Sequence, residues 1–122
     1  MALALNIMKG GHSALSARAI NGQVQSAVSA AGTLISDATD LTASINVVTT
    51  AAASSGVQLP NCEVGDSVDI LNLGANAVTV YPDTTSNQIN ALSAGTGFLL
   101  ATNTAVTLKK FTSARWIGFL SA

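Results

Sequence analysis

The stretch from Val57 to Pro82, VQLPNCEVGDSVDILNLGANAVTVYP, constrains the fold more than any other part of the chain. Val57 and Leu59 alternate up to Pro60, and Gly65-Asp66 supplies a turn. Val68 and Ile70 alternate through a second run, and Gly74-Ala75-Asn76 supplies another turn before Val78-Thr79-Val80-Tyr81 ends at Pro82. Period-two alternation marks a half-buried strand, because successive side chains leave opposite faces of a pleated backbone. Glycine and asparagine tolerate the positive φ of tight turns, and proline has no N–H with which to continue a ladder. The spacing therefore predicts a small β meander. Leu71 and Leu73 lie out of phase with Val68 and Ile70, which calls for a bulge or for a strand covered on both faces.

Similar signals recur from Thr33 onward. Thr33–Ser36, Thr42–Thr50 (with Ile45 and Val47 alternating), Ile89–Leu92, Phe98–Leu100, Val106–Phe111 and Trp116–Leu120 read as short strands. Clusters of Gly, Asn, Ser and Asp separate them, among them the polar turn Asp37–Asp40. Many short strands at this spacing indicate an all-β fold, a compact β-sandwich or barrel of short antiparallel strands. Ala77-Val78-Thr79-Val80 is echoed by Ala105-Val106-Thr107-Leu108, as two like hairpins stacked in opposing layers would be.

The chain divides near residue 32. In residues 1–32, Leu3, Leu5 and Ile7 alternate as a short extended strip that Gly10-Gly11 breaks. Ser13 to Ala31 carries a weak helical stripe of Leu15, Ala19, Val24 and Val28, interrupted by Gly22. The segment reads as an extended or weakly helical N-terminal arm that orders on assembly, with a tail lacking any partner as the competing reading. Residues 33–122 are the β domain.

Charge is scarcer than apolar content is high. Only 9% of residues are charged and 48% are hydrophobic, where soluble domains carry about 25% charged residues. A surface that stays dispersed by itself is normally rich in Lys and Glu. The simplest account is a surface covered in its working state, by copies of the chain or by a larger assembly. Ser/Thr/Asn-rich exteriors of secreted β proteins are the competing account. The net charge of −1 provides no basic footprint for nucleic acid, and Lys109, Lys110 and Arg115 read as a solvated strand edge. No apolar run approaches the roughly 20 residues a spanning helix needs, and Met1–Leu5 lacks the basic and apolar parts of a secretory leader. Neither nucleic acid nor membrane is an expected partner.

The inventory for catalysis is thin. His12 is the single histidine and Cys62 the single cysteine, too few for a metal set within one chain. Glu63, Asp66 and Asp69 do not reproduce a calcium loop. Asp66 after Gly65 reads as a turn residue bonding local amides, Asp69 as facing solvent or a neighbour's cation, and Gly95-Thr96-Gly97 as a turn. No catalytic, cofactor-binding or metal residue is assigned, and an enzyme is the least supported class. Trp116, with Ile117, Phe119 and Leu120, reads as a core strand closing the fold or, together with Arg115, as an interface anchor.

The segments VQLPN, VGDSVDILNLGANAVTVYP, INALSAGTGFLLA and RWIGFL, in that order, resemble the compact β domain of tailed-bacteriophage structural proteins. The similarity is to capsid decoration (cement) and head-fibre proteins and spans the last two thirds of the chain. It implies a structural virion protein on the outer surface of the capsid. Such a protein bridges neighbouring major capsid subunits as a homotrimer at threefold or quasi-threefold positions. In that setting Leu3, Leu5 and Ile7 are expected to contact the capsid or a neighbouring subunit. A head-fibre or tail-associated module is the alternative. A secreted carbohydrate-binding β-sandwich is a weaker one, because sugar stacking calls for more exposed aromatics than this chain carries.

Overall fold

The computed structural model describes residues 23–121, and these are all-β. Ten strands occur among them: β1 (Val24–Ala30), β2 (Thr39–Asp40), β3 (Ile45–Ala51), β4 (Gly56–Gln58), β5 (Ser67–Asn72), β6 (Val78–Tyr81), β7 (Gln88–Ile89), β8 (Phe98–Leu100), β9 (Thr104–Thr112) and β10 (Arg115–Leu120). They form a six-stranded sheet in the order β1-β3-β5-β9-β10-β7 and a four-stranded sheet in the order β2-β4-β6-β8. Up to β6 the chain alternates between the two sheets, and each strand pairs in parallel with its predecessor in the same sheet. Each winding takes about 20–25 residues, a solenoid-like period. The last part of the chain reverses direction. β8 runs antiparallel to β6, β9 antiparallel to β5, and β10 antiparallel to β9, while short β7 adds in parallel at the far edge of β10.

The all-β expectation is met; the antiparallel sandwich or barrel is corrected to this winding. No meander spans Val57–Pro82: β4 and β6 are parallel neighbours in one sheet, and β5 between them belongs to the other. The physical reason lies at the corner after β5. The Asn72 side chain turns inward and fastens the bend that carries the chain across to β6. Its Oδ1 accepts from the Gly74 N–H, and its Nδ2 donates to the carbonyls of Asn76 and Leu100, each at 2.9 Å. A hairpin would have kept both strands in one sheet; this corner moves the chain to the next. β5 pairs on both sides with no register shift, so Val68, Ile70 and Asn72 face the core and Leu73 is exposed. The phase change seen in the sequence is resolved by burying an asparagine, with no bulge in β5.

The same substitution of polar for apolar occurs in β3. Asn46 and Val48 are buried, and Ile45 and Val47 are only partly covered. Asn46 Nδ2 donates to the carbonyls of Ala43 and Asp69, which ties adjacent windings together. Thr33–Ser36 is a turn and not a strand, with the Asp37 carboxylate accepting from the Leu34 N–H at 2.8 Å. Val24–Ala30, assigned above to the arm and to a weak helix, is a strand at the edge of the larger sheet. Alternation favours this outcome: Val28 and Ala30 are buried while Ser29 between them is exposed.

One core joins the inner faces of the two sheets. It contains Val28, Val48, Val68, Ile70, Val106, Leu108 and Trp116 from the larger sheet and Val57, Val78, Val80 and Leu100 from the smaller. Burial of side chains of this size contributes about 1.5–3 kcal/mol each. The first corner depends on Gly32, whose φ is +80°. A Cβ there would overlap the Asp37 carbonyl. Gly32→Ala is expected to lower stability by about 1–3 kcal/mol, read as a lower urea midpoint. An unchanged midpoint would show that this corner is not constrained as described.

Candidate functional site

The two sheets differ in width, and the difference leaves an opening. The larger sheet runs past β9 to β10 and β7, whereas the smaller stops at β8. The inward side of the end of β10 therefore lacks a facing strand. Alternation places Leu120 on the same side as Trp116, yet Leu120 is 64% exposed and Trp116 fully buried. The result is an apolar groove of about 440 Å³ lined by Asn90, Leu92, Phe98, Leu99, Val106 and Leu120 among others. No charged side chain lines it. Leu99 at its rim is 68% exposed, whereas the exposed Phe111 and Phe119 lie on the outer face of the larger sheet, away from the groove.

Main-chain groups are also open at the groove. Ser121 N–H bonds the Ala105 carbonyl, so the ladder directs the main chain of Phe119 toward β9 and that of Gly118 and Leu120 away from it. Asn90 takes two of the outward groups: its N–H donates to the Trp116 carbonyl, and its Oδ1 accepts from the Gly118 N–H. β7 reaches only as far as Trp116. Beyond that point no strand among the described residues pairs with the outer edge of β10, and none pairs with the outer edge of β8.

A buried polar knot lies at the other end of β9 and β10, where Lys110 pairs with Trp116. The alternation that buries Val106 and Leu108 carries Lys110 inward as well. There Lys110 Nζ donates to Asp83 Oδ2 and to the Cys62 carbonyl, both at 2.8 Å. It also lies 5.7 Å from the centre of the Trp116 ring. Asp83 Oδ1 accepts from Trp116 Nε1 at 2.9 Å and from Asn87 Nδ2 at 2.8 Å, and the Asp83 carbonyl accepts from Gln58 Nε2. Burial pushes the Asp83 carboxyl upward. The hydrogen bonds from Lys110, Asn87 and Trp116 outweigh it and hold the group below the ordinary carboxylate range. Both carboxylate oxygens are engaged, so the arrangement binds strands to one another. It fastens β4, the turn at Cys62, the β6–β7 connection, β9 and β10 at one point.

No family model, curated protein or solved structure matches this chain.

The structure separates the residues singled out from the sequence. Trp116 is a core residue, fully buried with its indole N–H on Asp83. Arg115 is exposed, and its guanidinium donates to Gln88 Oε1 at 2.8 Å, which supports the short β7–β10 pairing. The solvated-edge reading of Lys109, Lys110 and Arg115 fails for Lys110, because β9 lies between two other strands and turns it into the core. Asp66 caps its own turn, its Oδ2 accepting from the Glu63 N–H. Asp69 accepts from the Thr107 hydroxyl at 2.6 Å. Burial, with the charges of Asp66 and Asp83, pushes the Cys62 thiol up despite Lys110, so at neutral pH it is protonated and a poor nucleophile. Leu3, Leu5, Ile7 and His12 lie outside the described residues. Among those described, no three His, Cys, Asp or Glu side chains gather as a metal set.

Asp83, Asn72 and the groove were not marked in the sequence. Asp83 is an ordinary turn residue until Lys110 and Trp116 fold against it. The groove arises from unequal sheet widths, which no local pattern records.

Proposed function

We propose that this chain is a structural virion protein that decorates a bacteriophage capsid, bridging neighbouring major capsid subunits as a homotrimer at threefold or quasi-threefold positions. The observation that supports this reading is a surface poor in charge and bearing exposed apolar side chains around an apolar groove. Leu99 and Leu120 are each more than half exposed at the groove, and scattered apolar exposure is ordinary while apolar side chains gathered at a groove mark a contact. A trimer that holds several capsid subunits at once strengthens a shell through multivalent contact, each added contact being intramolecular after the first. A head-fibre or tail-associated module is the second reading. It draws on the parallel windings, which stack along one direction as elongated proteins do.

Two measurements test the proposal. Light scattering across a dilution series is expected to give three times the chain mass at every concentration. A monomer throughout would remove the trimer. Fractionation of phage particles is expected to find the chain on intact heads in high, icosahedrally related copy number. A few copies confined to tails would support the module instead.

A further inference from the structure

We infer that the groove between β8 and the end of β10 receives the N-terminal strip Met1–Met8 of a second copy of this chain. The inference deepens the assembly reading above and rests on it. Four observations lead to it. The groove and the strip MALALNIM are chemically alike, since neither contains a charged side chain. The strip alternates, with Leu3, Leu5 and Ile7 on one side of an extended chain and Ala2, Ala4 and Asn6 on the other. An extended occupant meets the unpaired outer edge of β8, as β-strand addition requires, over the unpaired end of β10 in the other sheet. It would also cover the exposed side chains of Leu99 and Leu120.

The position from which the arm departs is the fourth. Val24 lies in a continuous row across the larger sheet: it pairs with Ile45, Ile45 with Asp69, Asp69 with Thr107, and Thr107 with Phe119. Val24 thus lies level with the groove, at the opposite edge of the sheet, four strand spacings or about 20 Å away. Residues 9–22 span up to about 45–50 Å when extended, enough to pass beyond the edge of their own sheet to a neighbour. The scarcity of surface charge favours that neighbour as the owner of the groove. One arm and one groove per copy make the contact head-to-tail, and three such contacts close a ring.

Disulfide trapping in the full-length chain tests this, with Cys62→Ser as background. Leu5→Cys chains are mixed with Leu120→Cys chains that carry a tag of different mass, then oxidised. The expected product is the mixed dimer. Leu99→Asp in the Leu120→Cys partner places a charge at the groove rim and is expected to cut its yield about tenfold or more. Leu99 is solvent-exposed, so this change leaves the fold intact, as circular dichroism would verify. Absence of the mixed dimer, or a yield that Leu99→Asp does not change, overturns the inference. So does a chain carrying both cysteines that closes on itself when diluted. A trimeric mass without trapping would reject the arm exchange while leaving the decoration proposal standing.

Discussion

Asp83→Ala is expected to destabilise the fold by about 3–5 kcal/mol at neutral pH, the usual consequence of leaving one partner of a buried ion pair alone. The loss exceeds that of a surface pair because Lys110 and Asp83 are both withdrawn from water. Removing the carboxylate leaves the Lys110 ammonium with the Cys62 carbonyl and the Trp116 ring face. It also strips Trp116 Nε1 and Asn87 Nδ2 of their acceptor. Lys110→Met is expected to be similarly costly for the converse reason. The double variant Asp83→Leu/Lys110→Met is expected to recover part of the loss, since apolar replacement of a buried pair removes both desolvation penalties. Urea unfolding at pH 7 measures all three. A loss below about 1 kcal/mol in Asp83→Ala would show that the pair is wetter than its geometry indicates.

The same residue sets an acid limit. The folded Asp83 carboxyl titrates below its ordinary value of 3.8, so the unfolded chain binds the proton first as pH falls. Stability contributed by the ionised group is therefore fully present above the unfolded value, and it is lost as pH falls through the folded one. Asp83→Asn is expected to begin less stable and to lose less between pH 5 and the acid limit, since it has no proton to take up. Parallel acid-denaturation curves for the two proteins would assign the acid sensitivity to other carboxylates.

Strand positions were largely readable, because alternation is a local property. Val78 and Val80 and the pair Val68 and Ile70 face the core as their spacing required. Strand partners were not readable. A parallel winding joins residues about 20–25 positions apart, and the period-two pattern is identical whether the next strand lies beside the last or in the opposite sheet. Asparagine obscured the faces further: Asn46 and Asn72 occupy inward positions, while the more apolar Ile45 and Leu71 beside them are only partly covered. Glycine also misled. Gly74 was read as a hairpin residue, but it sits at a corner where a Cβ would press on Ala51 of the adjacent winding. The knot at Asp83 lay beyond local reading because its members come from four separated stretches of chain. Low charge content was visible before folding, but where exposed apolar side chains gather was not: Leu99 and Leu120 meet at the groove only because the two sheets differ in width.

Asn72 provides the sharpest test of what holds the windings in register. An apolar residue at this fully buried site would satisfy hydrophobic burial better than asparagine does. Asn72→Leu is nevertheless expected to cost about 2–3 kcal/mol or more, because it orphans two buried main-chain groups at about 1–3 kcal/mol each and strips a third, partly buried one of its donor. Those groups are the Gly74 N–H and the carbonyls of Asn76 and Leu100, which belong to the corner and to β8. Asn72→Asp separates acceptor from donor function. It keeps an oxygen for Gly74 but sets a second oxygen against two carbonyls, so it is expected to be the worse of the two at neutral pH. The local signature is exchange of the Gly74 amide with solvent deuterium, which should accelerate in Asn72→Leu more than amides at the centre of β9 do. If Asn72→Leu instead matches or exceeds the parent in urea, burial alone secures this corner and the hydrogen bonds there are incidental. The corner matters to the groove because Asn72 reaches the Leu100 carbonyl at the end of β8, the strand that forms one wall. Loss of this tie is therefore expected to weaken any contact made at β8 before the sheets themselves come apart.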